Sequence, residues 1–304
     1  MPAIPPSSSS SSPALSVIVV AADSGPDLRD CVRQVLACRL PLELILVDNA
    51  SHDGVPPAIA RAYEHDERLK LIYSHRNIGF GPAVNLGAKQ AGGRALLILN
   101  PDCLIGEDDL RRLLAVQAAH PKAGLIGAVV CDADGHPDPA SWRRDPLLRR
   151  SLNSMLGRAG EKVNMEQEIP AEVIEVEAIS GALMLLPRTM FLRLGGFDED
   201  YFLHCEDLDI CRRVRDLGYQ VLLAGDVRVL HAKGGSSRHR PVFVSRWKHR
   251  GMWLWFRKHD PAARNPLVAA LVWLGIWAHF VLQIPGQLWR RASAVPEPAA
   301  PERD

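Results

Sequence analysis

Three absences narrow the reading of this chain before any motif is considered. It has no surplus of basic charge: 36 Lys and Arg against 35 Asp and Glu leave a formal net charge of +1. That balance argues against a general nucleic-acid binder, because such proteins carry a basic excess. It has no C-x-x-C pair. Its 6 cysteines, Cys31, Cys38, Cys103, Cys131, Cys205 and Cys211, lie scattered without zinc-like spacing and read as small apolar core residues of a reducing compartment. It shows no secretion signal either: "MPAIPPSSSSSSP" lacks a basic start and an apolar core, and residues 1–13 read as a disordered tail. The Pro-rich end, "AVPEPAAPERD", reads the same way over residues 291–304.

What is present is a large apolar content, 47% of 304 residues, enough for one large domain or two small ones. The apolar residues come in short β-rich runs separated by helical periodicity. "ALSVIVVAA" (14–22) is suited to a strand buried on both faces, and "DLRDCVRQVLAC" places Leu28, Val32, Val35 and Leu36 on one helical side. The strand "LELILVD" follows, then a helix over 57–65, the strand "LKLIY", a glycine-rich turn, a helix over 82–90, the strand "RALLILN" and a helix over 107–120. Strands alternating with helices predict a doubly wound α/β sheet, in which ligands sit at the carboxyl ends of the strands. Polar residues stand at those ends: Asp48-Asn49 after one strand, Asn100-Pro101-Asp102 after another.

Residues 132–172 break the pattern. They are rich in proline and charge, with "SWRRDPLLRRSLNSML" the only helical candidate, and read as a mobile insertion or lid. Regularity returns with two short strands in "VIEVEAISGALMLLPR", a helix over 206–217 and the strand "YQVLLA".

Five constellations carry chemistry, and each also has a plain structural reading. Asp102, directly after an apolar strand, suits a hard divalent cation or a Pro-Asp turn. Asp48 and Asn49, with Asp53 behind them, suit the polar edge of a nucleotide or a capped turn. In "HRNIGFGPAVNLG", which holds Asn77 and Asn85, Gly79 and Gly81 let backbone approach a ligand ahead of a helix N-terminus; the spacing is neither G-x-G-x-x-G nor a P-loop. Glu206 and Asp207 open a helix, where a carboxylate can take a proton from an attacking hydroxyl, or can answer the helix dipole while Asp207 and Asp209 pair with Arg212 and Arg213. His231 ends a strand before a basic loop with Lys233, Arg238, His239 and Arg240; it can complete a metal site with Asp102 while the loop grips phosphates, or simply close a strand.

Taken in order, "SVIVV", "LVDNAS-DG", "NIGFGPAVNLG", "LNPD", "ISGALMLLPR", "GGFDEDYFLHCEDLDICRRVRDLGY" and the His of "RVLHAKGGSS" closely resemble family 2 glycosyltransferases, in particular the rhamnosyltransferase-like branch. The resemblance spans residues 16–237. It implies a GT-A fold: a Rossmann-like, mostly parallel central sheet flanked by helices. It further implies that Asp48 contacts a pyrimidine base, that Asn49, Asp53, Asn77, Gly79, Asn85, Asn100 and Lys233 line the donor site, and that Asp102 and His231 hold Mg or Mn. Asp207 takes the catalytic base position, with Glu206 and Asp209 orienting the acceptor or the helix. Two departures stand out. Ala22 occupies the place of an aromatic that packs on the base, and Asn100 replaces a first metal acid, leaving Asp102 as the motif's sole carboxylate.

The implied activity is a single inverting displacement from a dTDP- or UDP-sugar, rhamnose being the sugar of that branch, to a glycan or lipid-linked acceptor of cell-envelope polysaccharide. A silent nucleotide-sugar binder or scaffold, and a nucleotidyltransferase, are the competing classes. The second lacks support because "AADSGPDLRD" offers no Lys for a triphosphate.

The domain expected over residues 14–240 is followed by a helical segment over 241–290. "SRWKHRGMWLWFRKH" mixes aromatic and basic residues suited to an anionic lipid surface, and "LVAALVWLGIWAHFVLQIPG" is about the length of a membrane span, interrupted by His279 and Gln283 and ended by Pro285. It reads as a helix in the interface, a true span, or a core or dimer helix. The first places a cytoplasmic enzyme at the inner face of the membrane; an oligomer is compatible with the third.

Overall fold

The four N-terminal apolar runs form parallel strands, and their side chains alternate between two cores. In the first strand Leu15, Val17, Val19 and Ala21 face one cluster while Ile18 and Val20 face the other, the period-2 division of a strand covered on both sides. The computed structural model describes residues 13–157, 161–163, 165, 170–231 and 240–293. Residues 1–12 and 294–304 of the expected tails, and Lys233, Arg238 and His239, lie outside the described residues.

In chain order the elements are β1 (Leu15–Ala21), α1 (Asp27–Ala37), β2 (Leu42–Asp48), α2 (Val55–Ala62), β3 (Leu69–Tyr73), α3 (Phe80–Ala88), β4 (Ala95–Leu99), β5 (Cys103–Leu104), α4 (Glu107–Ala119), β6 (Ala123–Cys131), β7 (Trp142–Arg143), α5 (Leu148–Met155), β8 (Val173–Glu175), β9 (Ala178–Ile179), β10 (Leu183–Pro187), α6 (Arg188–Leu194), α7 (Glu206–Asp216), β11 (Gln220–His231), α8 (Pro241–His259) and α9 (Pro266–Ser293). The main sheet runs β3-β2-β1-β4-β10-β6-β11-β5, with β8 also paired to β11. Strands β3, β2, β1 and β4 are parallel, and β10 runs antiparallel between β4 and β6. Helices α1, α2 and α4 bury Val35, Ile59 and Leu113 on one face; α3 and α7 bury Val84 and Val214 on the other, joined there by Trp255 of α8. At about 1.5–3 kcal/mol for each fully buried aliphatic side chain, these two faces dominate the stability of the fold.

Several expected boundaries move. Helix α2 starts at Val55 and α3 at Phe80, so that Pro56, Pro57 and Pro82 fall in first turns, where a missing N–H costs nothing. "VIEVEAISGALMLLPR" yields three strands, not two. The stretch expected to be a mobile insertion is fastened in its described part. Ser141 is buried and exchanges two hydrogen bonds with Val130, β7 pairs with β9, and Arg150 makes a bidentate ion pair with Glu177 at 2.6 and 2.9 Å.

Helix α8 is tied to the domain by His259, whose Nε2 lies 2.8 Å from Asp209 Oδ1, and by Lys258, which pairs with Asp198 and Asp200. Helix α9 lies against α8, with His249 Nε2 3.0 Å from His279 Nδ1. It continues through Pro285, whose ring fixes a φ close to the helical value. Over Pro266–Leu288 its mean hydropathy is 2.0, yet only 6% of the apolar window is buried, which excludes a core helix. Leu267, Leu271, Leu274 and Leu282 stand exposed.

Candidate active site

The carboxyl ends of the parallel strands form one rim, and the loops leaving them are knitted together. Asp48 ends β2 in register with Ala21 of β1. It is 6% exposed and its Oδ1 accepts the Ser51 N–H at 2.8 Å. Asp53 Oδ2 accepts the Gly25 N–H at 2.9 Å, while Asp23 Oδ1 accepts the His52 N–H at 2.6 Å, so the loops after β1 and β2 close on one another. Asp23 and Ala50 carry positive φ there. Such non-glycine strain costs about 1–2 kcal/mol per residue and persists where the surroundings enforce it.

Asn49, Asn77 and Asn85 make hydrogen bonds to the scaffold. The Asn49 carboxamide accepts the Ile78 N–H at 2.9 Å and donates to Asn77 Oδ1 and to Gly79 O, both at 3.1 Å. Asn77 Oδ1 also accepts the Gly79 N–H. Asn85, buried, bonds both the N–H and the C=O of Phe197 and donates to Glu199. These residue types and positions resembled ligand contacts in sequence; in the fold they brace the turn before α3 and tie α3 to the 196–199 loop. Gly79 (φ +95°) is required by space as well as conformation, since a Cβ there would sit 2.6 Å from Phe202 O.

The metal-motif residues meet at the same rim. Cys103 of β5 pairs with His231 of β11, which sets His231 Nε2 3.0 Å from Asp102 Oδ1 and 3.4 Å from Asn100 Nδ2. Cys103 Sγ lies close enough to join them, but burial, reinforced by Asp102, pushes its thiol well above the usual range. Its Sγ donates to Ala182 O and is a soft donor, which leaves Asp102 and His231 as the side chains of this cluster that could hold a hard cation. Their 3.0 Å separation is about that of neighbouring ligands on an octahedral ion with bonds of about 2.1 Å, and Nδ1 of His231 is buried without a partner among the described residues.

The turn over 180–182, just before β10, links this pair to the acids of α7. The Asn100 N–H donates to Ala182 O at 2.9 Å, and the Gly181 N–H to Asp207 Oδ2 at 3.3 Å. His204 and Cys205, both at positive φ, lead into α7 and put Glu206 and Asp207 in its first turn, where the helix dipole favours negative charge. The two acids differ. Glu206 is 7% exposed, its Oε2 has no partner among the described residues, and burial, then Asp207, raises its carboxyl to about 8. Asp207 instead faces Arg143, whose Nη2 lies 2.6 Å from Oδ2. It does not pair with Arg212 or Arg213: Arg212 bonds Asp216 and Asp145, and Arg213 bonds Asp209. Asp209, 1% exposed, is held by Arg213 and His259 and orients the helix.

Arg143 is the site residue that sequence reading missed. It sits on a two-residue strand inside a proline-rich stretch, where no periodicity marks it. The cavity of about 440 Å³ lined by Ala60, Tyr63, His65 and Leu71 shares no residue with this rim.

Residues 16–169 match the description "Glycosyl transferase family 2". The chain belongs to glycosyl transferase family 2. It is 28% identical over 271 residues, 83% of this chain and 87% of the relative, to an N-acetylglucosaminyl-diphospho-decaprenol L-rhamnosyltransferase of Mycobacterium tuberculosis. It is 29% identical over 153 residues, 50% of this chain and 57% of the relative, to the rhamnosyltransferase WbbL of Escherichia coli. Among solved structures, the mannosyltransferase PcManGT of Pyrobaculum calidifontis, in complex with GDP-Man and Mn2+, superimposes with a TM-score of 0.58 at 22% identity, covering 95% of this chain and 77% of that one. Staphylococcus aureus TarS does so at 0.51 and 17%, covering 90% and 73%. The chain is thus a family 2 glycosyltransferase of the rhamnosyltransferase-like branch, with the GT-A fold expected of it.

Proposed function

We propose that this glycosyltransferase moves rhamnose, with inversion, from dTDP-rhamnose to a lipid-linked acceptor of cell-envelope polysaccharide synthesis, working at the inner face of the cytoplasmic membrane. The observation that carries the reading is the meeting of Asp102, His231 and Asp207 around the 180–182 turn, although they lie far apart along the chain. The acceptor class is supported by the lipid diphosphate in the name of the mycobacterial relative, and the membrane by the exposed apolar length of α9 beside the aromatic and basic α8.

Asp48 and Asp53 border the nucleotide, and Asp207 takes the acceptor's hydroxyl proton as the acceptor oxygen attacks the anomeric carbon. The C–O bond to the diphosphate breaks as the new C–O bond forms, and the electron pair leaves on the diphosphate. Mg or Mn held by Asp102 and His231 would neutralise that leaving group. The roles given to Asp48, Asp53, Asp102, Asp207 and His231 belong to this reading.

A thermal-shift panel of dTDP-, UDP- and GDP-sugars, with and without Mn2+, tests the donor, because a ligand that binds the native state raises the melting temperature by mass action. The largest rise is expected for dTDP-rhamnose with Mn2+, followed by its consumption when an N-acetylglucosaminyl-diphospho-lipid is added. A panel with no shift and no turnover would remove the function. The membrane step is tested by washing membranes of the expressing cell: the protein is expected to sediment with them in high salt and to be released in part by alkali. A chain found wholly in the soluble fraction without any wash would sink that step.

A further inference from the structure

Arg143 is brought to Asp207 by architecture that does little else. The preceding Ser141 is locked to Val130, Trp142 is buried in the second core, and the β7–β9 register sets Arg143 opposite Ala178, ahead of the 180–182 turn. The guanidinium and carboxylate are 22% and 15% exposed, partly shielded from water but reachable. The Nε–H of Arg143 is buried and unpartnered among the described residues, as are those of Arg188 and Arg215.

The bonds around Asp207 are unequal. Oδ2 accepts from Arg143 Nη2 and from the Gly181 N–H, which occupies both of its lone pairs. Among the described residues Oδ1 accepts only the Leu208 N–H, at 2.8 Å, and keeps a lone pair. The titratable groups acting on this carboxylate are Arg143 from β7, and His204, Cys205, Glu206 and Cys211 from α7 and its lead-in; Lys248 of α8 acts on His204 and Cys205. Arg143 is the sole cation among those in direct contact.

We propose that Arg143 is the positioning residue of the transfer step, clamping Oδ2 of Asp207 so that Oδ1 alone is presented to the acceptor's proton. This rests on the reading of Asp207 as the base. In the step the acceptor O–H bond breaks toward Oδ1, the freed oxygen pair forms the bond to the anomeric carbon, and the diphosphate departs with the old bond's pair. Arg143 itself touches neither sugar nor acceptor.

The test compares Arg143→Gln, Arg143→Lys and Asp207→Asn in the intact chain, using dTDP-rhamnose and an N-acetylglucosaminyl-diphospho-lipid, or the best donor of the panel. Arg143→Gln is expected to lower kcat about 100-fold while leaving the donor KM within about threefold. Arg143→Lys, which keeps the charge and a donor, is expected to recover about tenfold in kcat with the same donor KM. Wild-type kcat in Arg143→Gln would overturn the inference. So would a folded Arg143→Lys variant as slow as the Gln variant, which also guards against loss of folding in the latter. An active Asp207→Asn protein would instead remove the base assignment itself, so the two failures are distinguishable.

Discussion

Asp207→Asn is expected to lower kcat by about 1,000-fold or more while leaving the donor affinity within about threefold, measured by initial rates and by calorimetric titration of the nucleotide sugar. General-base catalysis contributes about 10²–10⁴ in rate, and an amide cannot take the proton. The neighbouring acid is a poor substitute, because Glu206 is buried and its burial raises its carboxyl above the usual carboxylate range. Asparagine keeps a single acceptor oxygen, for the N–H of Gly181 or of Leu208 but not both, and loses the charge that faces Arg143, so the fold is expected to survive with a fall in melting temperature. Unimpaired turnover by this variant would end the base assignment.

The second large effect is expected at the metal-motif pair. Asp102→Ala and His231→Ala should each reduce kcat/KM by about 100-fold or more, equivalent to several kcal/mol of lost charge stabilisation on the leaving diphosphate. They should also abolish the extra thermal shift that Mn2+ gives in the presence of donor. A site of one carboxylate and one imidazole, with Asn100 in place of a second acid, is poor in negative charge. Calorimetry with Mn2+ alone is therefore expected to show weak binding that tightens when donor diphosphate supplies further oxygens. A Mn2+ response that persists in Asp102→Ala would place the cation elsewhere.

The two variants act on opposite sides of the same bond exchange. In the proposed reaction Asp207 receives a proton on the acceptor side, and Asp102 with His231 answers charge on the leaving side. The turn over 180–182 links the two segments, because its Gly181 N–H bonds Asp207 and its Ala182 carbonyl accepts the N–H of Asn100, two residues before Asp102. A geometry carried by backbone groups leaves no side-chain signature there beyond small residues, Ser180, Gly181 and Ala182. Gly181 leaves little room for more: a Cβ would sit 3.2 Å from Asp207 Cβ.

Much of this was readable in the order of residues. Apolar runs of strand length ending on Asp48 and on Asn100 announced a sheet with polar groups at its carboxyl rim, and the segments agreed with one family over most of the chain. Individual roles were less readable. A carboxamide after a glycine turn looks the same whether it meets a ligand or a backbone, and Asn49 and Asn85 meet backbone. Strand β10 was legible as a strand, but not as the antiparallel one between β4 and β6, since direction depends on partners distant in sequence. Pro285 suggested a stop, yet its fixed φ let α9 run on to Ser293.

By itself, then, the amino-acid sequence determined the class of sheet, the family and the set of acids available for chemistry, because periodicity and turn chemistry act over a few residues. Only the tertiary structure decided which acids of α7 are buried, which carboxylate meets Arg143 across 64 positions, and that Asp102 and His231 stand 3.0 Å apart. Those outcomes depend on burial and strand pairing, which bring distant side chains together and take water away from them.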